Sequence, residues 1–367
     1  MKILFFTSQT GGGHITVAKA LAEELKEKYN IESYLPDFFL EATKKPFANF
    51  PKNYSKITKN FPFFWGFLWY FTYPKWWYNY LNKLVEFFTP TYLKDFFEKY
   101  PDIEAIISVH PLLNHFPFLC AKKFYKNIKF IIVGIEFLKY HTSWFQKDAD
   151  LIIYPFTSPY FKNSSQVDNL PDYFGIPLRK EFDISYNKEK LKEKYQIEKN
   201  KKVILILGGS EGWGKINKIV KEIYSKKDYY LICVCGRNLE LFNYLKENFV
   251  DPKRIKIFSY VEKIAELFAV SDVAILKAGA ISLAEAIASQ VPIIIYHYLY
   301  GQELGNLQFV IKNKLGFYLP NIKELLFCLD KILSTDLGEK IKENLRKFKN
   351  INGRERIAKF IVDFLKS

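Results

Sequence analysis

Residues 2–29 read KILFFTSQTGGGHITVAKALAEELKEKY, and the order of features in them decides the fold. An apolar run at 2–7 meets a glycine loop at 11–13, and a helical pattern follows. In that pattern Val17, Ala20, Leu21 and Leu25 share one face, with Glu23, Glu24, Lys26 and Glu27 opposite. Strand, glycine loop and helix in succession open a parallel α/β unit. Further strands are predicted at 31–35, 103–109, 128–135 and 151–154, with helical patterns between them. The same opening then recurs: KVILIL at 202–207 runs into GGSEGWG at 208–214 and another helix. Strands follow at 229–234, 255–258, 272–276 and 292–296. The chain therefore predicts two facing Rossmann-like domains with parallel sheets, 1–172 and 173–350, hinged near 168–180. A helix at about 352–366, within 351–367, is expected to brace the two domains.

The 367 residues are 49% hydrophobic, which excludes a largely disordered chain. Lys and Arg number 54 against 39 Asp and Glu, a net charge of 54 − 39 = +15, so anionic partners are expected. The four cysteines are scattered, which predicts neither a zinc site nor a disulfide framework and fits a reducing compartment. MKILFFTSQT lacks the pattern of a secretory leader, and no apolar run reaches the roughly 18–20 residues of a membrane-spanning helix. The expectation is a soluble or peripheral intracellular protein.

One segment, 42–85, breaks the pattern. Between Glu41 and Glu86 there is no acidic residue, but there are seven lysines and four of the six tryptophans, Trp65, Trp69, Trp76 and Trp77. Trp and Tyr favour a membrane interface, and lysines favour anionic headgroups. The plainer alternative is that part of these aromatics is domain core.

Several motifs carry chemistry. Gly12 and Gly13 let backbone approach a ligand at a helix N-terminus, and His14 at the loop–helix junction is placed to act as a general base. The spacing is not GxGxxG, since Thr16 holds the place of the third glycine. Asp37 is either a ribose-binding acid or part of a turn. GGSEGWG, with Gly209, Ser210 and Gly212, is a second backbone cradle, and KAGAISLAEA at 277–286 is a third. There Ser282 is read as an N-cap, with Glu285 either completing a capping box or gripping a ribose. Lys277 and Arg237 are candidates for added positive charge. Gln302, Glu303 and Asn306 in GQELGN follow a strand, where α/β folds bind ligands, and suit sugar hydroxyls. His110 ends the strand at 103–109 and is either a site residue or packed. DAD at 148–150 resembles a metal-binding DxD but is read as a surface feature.

Taken together, GGGH, ISVHP, GGSEGWG, CGRN at 235–238, KAGAISLAEA and GQELGN, in this order, resemble the diacylglycerol glycosyltransferases of glycosyltransferase family 28. These are the monogalactosyldiacylglycerol synthases and the processive diacylglycerol glucosyltransferases. More distantly the chain is similar to the lipid-linked N-acetylglucosaminyltransferase of peptidoglycan synthesis. FPKNYSKITKNFPFFWGFLWYFT at 50–72, which includes Tyr54, looks like the family's membrane and acceptor region.

The resemblance implies a GT-B fold and an inverting transfer of galactose or glucose from a UDP-hexose to diacylglycerol. It implies no metal or cofactor, no nucleic acid, and a place on the inner face of the cell membrane at an anionic lipid surface. His14 matches the family's base, Glu285 the ribose-binding acid, and Gln302, Glu303 and Asn306 the sugar-binding motif. His141 and Trp144 match a His and Trp near the domain cleft. Backbone N–H groups of Gly209, Ser210, Gly212, Gly279 and Ala280 are expected to hold the diphosphate. The chain departs from the pattern at Ala280-Ile281 after KAG, at Ser282 in place of Thr, and at Glu136 in place of Asp. Glu136 is expected to orient or assist His14.

Rival readings come from other classes. A UDP-sugar 2-epimerase would share the domains but not need the aromatic, Lys-rich segment. Polyprenyl-linked or other lipid acceptors suit the same machinery. A nicotinamide oxidoreductase lacks its GxGxxG, a nucleic-acid binder lacks a reader motif, and a non-catalytic membrane scaffold would not need His14 and Glu303.

Overall fold

The computed structural model describes residues 1–10, 12–43, 47–74, 76, 80, 83, 90–161, 172–212 and 214–367. They form two units. The first comprises Met1–Arg179, Leu299–Gly305 and Gly353–Ser367; the second comprises Lys180–Tyr298 and Asn306–Asn352. The first unit thus runs past 172 to Arg179, and the start of the expected hinge, 168–171, lies outside the described residues.

The first sheet is built from β1 (Lys2–Phe6), β2 (Glu32–Tyr34), β3 (Ala105–Ser108), β4 (Lys129–Val133), β5 (Leu151–Ile153) and β6 (Tyr160–Phe161). Its order is β2-β1-β3-β4-β5-β6, parallel throughout except for the antiparallel edge strand β6. Ile3 to Phe6, Ala105 to Ile107 and Phe130 to Val133 are fully buried, as strands covered on both faces require. Helix α1 (Gly13–Tyr29) follows β1 after Gly12, whose φ of 74° is a left-handed turn that favours glycine. Asp37 N-caps α2 (Phe38–Ala42), accepting from Leu40 N, and also accepts from Gln9 N, so it serves the turn.

The acid-free segment contributes α3 (Phe50–Asn60) and α4 (Pro62–Phe71). The last helix, Arg354–Lys366, belongs to the first unit, where Arg354 Nη1 meets Glu24 Oε2 of α1 at 2.7 Å with both side chains buried. This packing places it on α1 within the first unit.

The second sheet holds β7 (Val203–Leu207), β8 (Tyr230–Val234), β9 (Ile255–Phe258), β10 (Val273–Lys277), β11 (Ile293–His297) and β12 (Gly316–Tyr318). All pairs are parallel, in the order β12-β11-β10-β7-β8-β9. Each sheet reverses its strand order once. The reversal lies between β1 and β3 in the first sheet and between β7 and β10 in the second. In open α/β sheets ligands bind outside the carboxyl ends of the strands at that point. Among the described residues no helix is long and apolar enough to cross a membrane.

Candidate active site

At the first switch point the first turn of α1, just past the loop after β1, carries His14, and the loop after β3 carries His110. His14 is half-buried, and its Nδ1 lies 2.6 Å from the carbonyl oxygen of Val109. A carbonyl only accepts, so Nδ1 carries the hydrogen and the lone pair falls on Nε2. Burial lowers the His14 pKa to about 4, opposed in part by that carbonyl. The imidazole is therefore neutral near pH 7 and able to accept a proton.

The His110 ring lies 4.4 Å from that of His14. His110 is buried, with Nε2 2.6 Å from Thr10 Oγ1 and Nδ1 without a hydrogen-bond partner among the described residues. Burial, and then its neighbour His14, hold its pKa well below the ordinary value. Trp144 is 1% exposed and 6.2 Å ring to ring from His14. Asn114 fixes the Trp144 turn by donating from Nδ2 to the carbonyls of Ser143 and Trp144. Glu136 is buried in the loop after β4, and its carbonyl accepts from Tyr140 Oη. Thr10 and the Val109 carbonyl are site groups that sequence reasoning missed. Only the neighbourhood of His14 and His110 in the fold singles them out.

His141 serves the aromatic helix. Its Nδ1 accepts from Ser143 N at 3.2 Å and lies 2.9 Å from Ser143 Oγ. Its Nε2 then carries the hydrogen and faces Thr72 Oγ1 at 3.3 Å. The Trp69 ring lies 4.6 Å from it, and burial lowers its pKa to about 4. Along α4, Trp65 and Trp69 are half-buried, while Phe63, Phe64, Phe67 and Tyr70 are 75%, 51%, 59% and 57% exposed. Tyr54 and Trp65 meet edge to face at 4.9 Å. Trp76 is exposed, and Trp77 lies outside the described residues.

At the second switch point the cradle is made of backbone. A Cβ on Gly212, φ +58°, would stand 2.0 Å from the Cys235 carbonyl oxygen, and one on Gly236 would stand 2.3 Å from that of Ser210. Glycine is thus required where the 208–212 and 235–238 turns press together. Arg237 N donates to Ser210 O, and Asn238 Nδ2 donates to Gly212 O, locking the two turns. Gly209, φ +70°, is open on the side where Lys277 Cε approaches to 3.5 Å. The Arg237 guanidinium pairs with Glu211 at 3.4 Å on the surface.

The helix Ala280–Ala288 is capped by Gly279, so Ser282 lies inside the first turn and is not the N-cap expected from sequence. Gly279 takes the cap because its extended backbone (φ −69°, ψ 130°) ends the strand-to-helix turn three residues before Ser282. Glu285 is consequently not half of a capping box, and it is buried.

The GQELGN motif divides between the units. Asn306 Nδ2 donates to Ala278 O in the second unit. In the first, Glu303 Oε2 accepts from Leu299 N, and Gln302 Oε1 accepts from Tyr54 Oη at 3.1 Å. Asp150 of the DAD stretch accepts from Phe130 N, a structural role. Among the described residues no three His, Cys, Asp or Glu side chains gather as a metal site.

Two parallel-sheet α/β units, one bearing a neutral imidazole and the other close-packed glycine turns at the reversal of strand order, make the GT-B fold of glycosyltransferases. The spinosyn rhamnosyltransferase SpnG shows the same fold, with a TM-score of 0.64 over 100% of each chain at 10% identity. Residues 203–359 match the glycosyltransferase family 28 C-terminal domain, and residues 14–177 match monogalactosyldiacylglycerol (MGDG) synthase. The chain is 30% identical to monogalactosyldiacylglycerol synthase 3 of Arabidopsis thaliana over 88% of its own length and 72% of that protein. It is 26% identical to the processive diacylglycerol beta-glucosyltransferase of Bacillus licheniformis over 98% of its own length and 94% of that protein. The chain belongs to the monogalactosyldiacylglycerol synthase family of glycosyltransferases.

Proposed function

We propose that the protein moves galactose or glucose from a UDP-hexose to the free hydroxyl of diacylglycerol, with inversion, giving a β-glycosyldiacylglycerol. The observation that carries this reading is His14, an imidazole fixed by Val109 with its lone pair on Nε2. Nε2 takes the hydroxyl proton as the acceptor oxygen attacks the anomeric carbon and the bond from that carbon to UDP breaks. Glu136, buried in a neighbouring loop, assists this base.

The departing diphosphate is met by backbone N–H groups of Gly209, Ser210 and Ala280, at a helix N-terminus, with Lys277 adding charge; the N–H groups of Gly212 and Gly279, expected from sequence to join them, donate instead to Gly209 O and Lys277 O within their own turns. This grip needs no metal or cofactor. Glu285 holds the ribose, and Gln302, Glu303 and Asn306 read the hexose. The exposed aromatic face of α4, with the lysines of α3, docks on anionic lipid at the inner face of the cell membrane, where the acceptor resides.

Incubation with labelled UDP-galactose and UDP-glucose, separately, on diacylglycerol vesicles tests the reading by chromatography of the lipid. Labelled glycolipid from either donor supports it and names the sugar. No labelled lipid from either overturns it.

A further inference from the structure

Helix α4 has two unlike faces. Phe63, Phe64, Phe67, Tyr70 and Phe71 are exposed, at the i, i+4, i+7 spacing of one helical face. The other face packs on the 299–305 loop, which lies far away in sequence but in the same unit. An added Cβ on Gly66 would stand 2.7 Å from Tyr300 Cβ, and one on Gly301 would stand 2.3 Å from Trp69 Cδ1. Gly301 also has a φ of +78°, so its glycine serves both the turn and the approach of the indole. Phe63 stacks on Tyr300 at 5.0 Å. Within this contact Tyr54 Oη, from α3, donates to Gln302 Oε1 at 3.1 Å. Occupying the carbonyl end of the amide in this way leaves its NH2 group, two donors, to face a ligand.

We propose that Tyr54 is a positioning residue that orients Gln302 for the donor hexose, and that α4, seated on the 299–305 loop, links lipid docking to reading of that hexose. This rests on the function proposed above, in which Gln302 contacts the sugar. Loss of the Tyr54 hydroxyl frees the amide to turn and weakens the hexose contact. It leaves the contacts to UDP untouched, because those come from the 208–212 and 279–280 turns. Linkage also requires that whatever lipid does to hexose affinity, hexose does equally to lipid affinity.

The test is titration of UDP and of UDP-hexose into the full chain, wild type and Tyr54→Phe, Gln302→Ala and the double variant, with thermal melts to confirm folding. Tyr54→Phe is expected to weaken UDP-hexose by about three- to tenfold, in line with the loss of one hydrogen bond of roughly 0.5–1.5 kcal/mol, while UDP affinity is unchanged. The double variant is expected to be no weaker than Gln302→Ala, as for two residues acting through one contact. Gly66→Ala, which pushes on Tyr300 without touching Tyr54, is expected to act in the same sense. Diacylglycerol vesicles are expected to raise wild-type affinity for UDP-hexose more than that for UDP, and to lose this preference with Tyr54→Phe.

An unchanged UDP-hexose to UDP ratio in Tyr54→Phe, with Gln302→Ala weakened, overturns the positioning role alone. An unchanged ratio in both variants removes Gln302 from hexose reading and overturns the reading on which the inference stands. Equal vesicle effects on UDP and UDP-hexose overturn the lipid link.

Discussion

The two units use the same device, a single reversal of strand order, for opposite chemistry. At the β1/β3 reversal the chain supplies rings, His14 and His110 side by side with Trp144 6.2 Å from His14, and the hydrogen-bond partners of the two imidazoles are the Val109 carbonyl and the Thr10 hydroxyl. At the β7/β10 reversal the loops supply backbone, with Gly209, Gly212 and Gly236 at positive φ and Lys277 alongside. Burial disfavours charge at the first site and keeps the imidazoles neutral. At the second, backbone kept bare by glycine, with Lys277 beside Gly209, suits the approach of an anion. The proposed base and the proposed phosphate grip thus rest on different physical grounds, and a change to one is expected to leave the other intact.

The sharpest way to break this division is His14→Ala. Turnover is expected to fall by about 10²- to 10⁴-fold, typical of a lost general base. UDP affinity measured by calorimetry is expected to stay at the wild-type value; a parallel loss of UDP binding would merge the two sites.

The converse variant is Gly212→Ala. A methyl at φ +58°, 2.0 Å from the Cys235 carbonyl, must displace the turn. A strained residue of this kind costs about 1–3 kcal/mol, and UDP affinity is expected to drop by about ten- to a hundredfold. The His14 pKa, read by NMR, is expected not to move.

Acid sharpens the comparison further. Four of the five histidines lie in the first unit, and His14, His110, His115 and His141 all have pKa values lowered by burial. Unfolded, each binds a proton near pH 6.5, whereas folded it does not until about pH 4 for His14, His115 and His141. Their contribution to stability is therefore present above pH 6.5 and lost as pH falls toward 4. Hydrogen exchange followed across that window is expected to show the first unit opening before the second.

The smallest expected effect is at the lipid-facing helices. Lys52, Lys56 and Lys59 are exposed along one side of α3. Lys56→Ala is expected to weaken binding to anionic vesicles by about 1 kcal/mol, with added salt erasing the difference. Equal binding to neutral and anionic vesicles at every salt level would deny the docking role.

The two sheets were legible in the sequence because strands covered on both faces are continuous apolar runs. KVILIL and IKFIIVGI gave β7 and β4 within a residue or two of their ends. The short edge strands β6 and β12 were not legible, since two or three residues carry no period. His14 was legible from the glycines before it. Its tautomer was not, because the Val109 carbonyl that fixes it is 95 residues away in sequence. Ser282 was misread because a Ser three residues before a Glu imitates a capping box, whereas the backbone turns at Gly279. The division of GQELGN between two units was also beyond sequence reasoning. Gln302 meets Tyr54 across 248 positions, and small glycines at Gly66 and Gly301 admit the contact.

The central claim is that the first switch point holds a neutral imidazole with its lone pair on Nε2. Side-chain nitrogen NMR of His14 during a pH titration tests it most directly. The account predicts the Nδ1–H tautomer at neutral pH and protonation only near pH 4. A His14 that titrates near 6.5 or above, or that carries its hydrogen on Nε2, would contradict it.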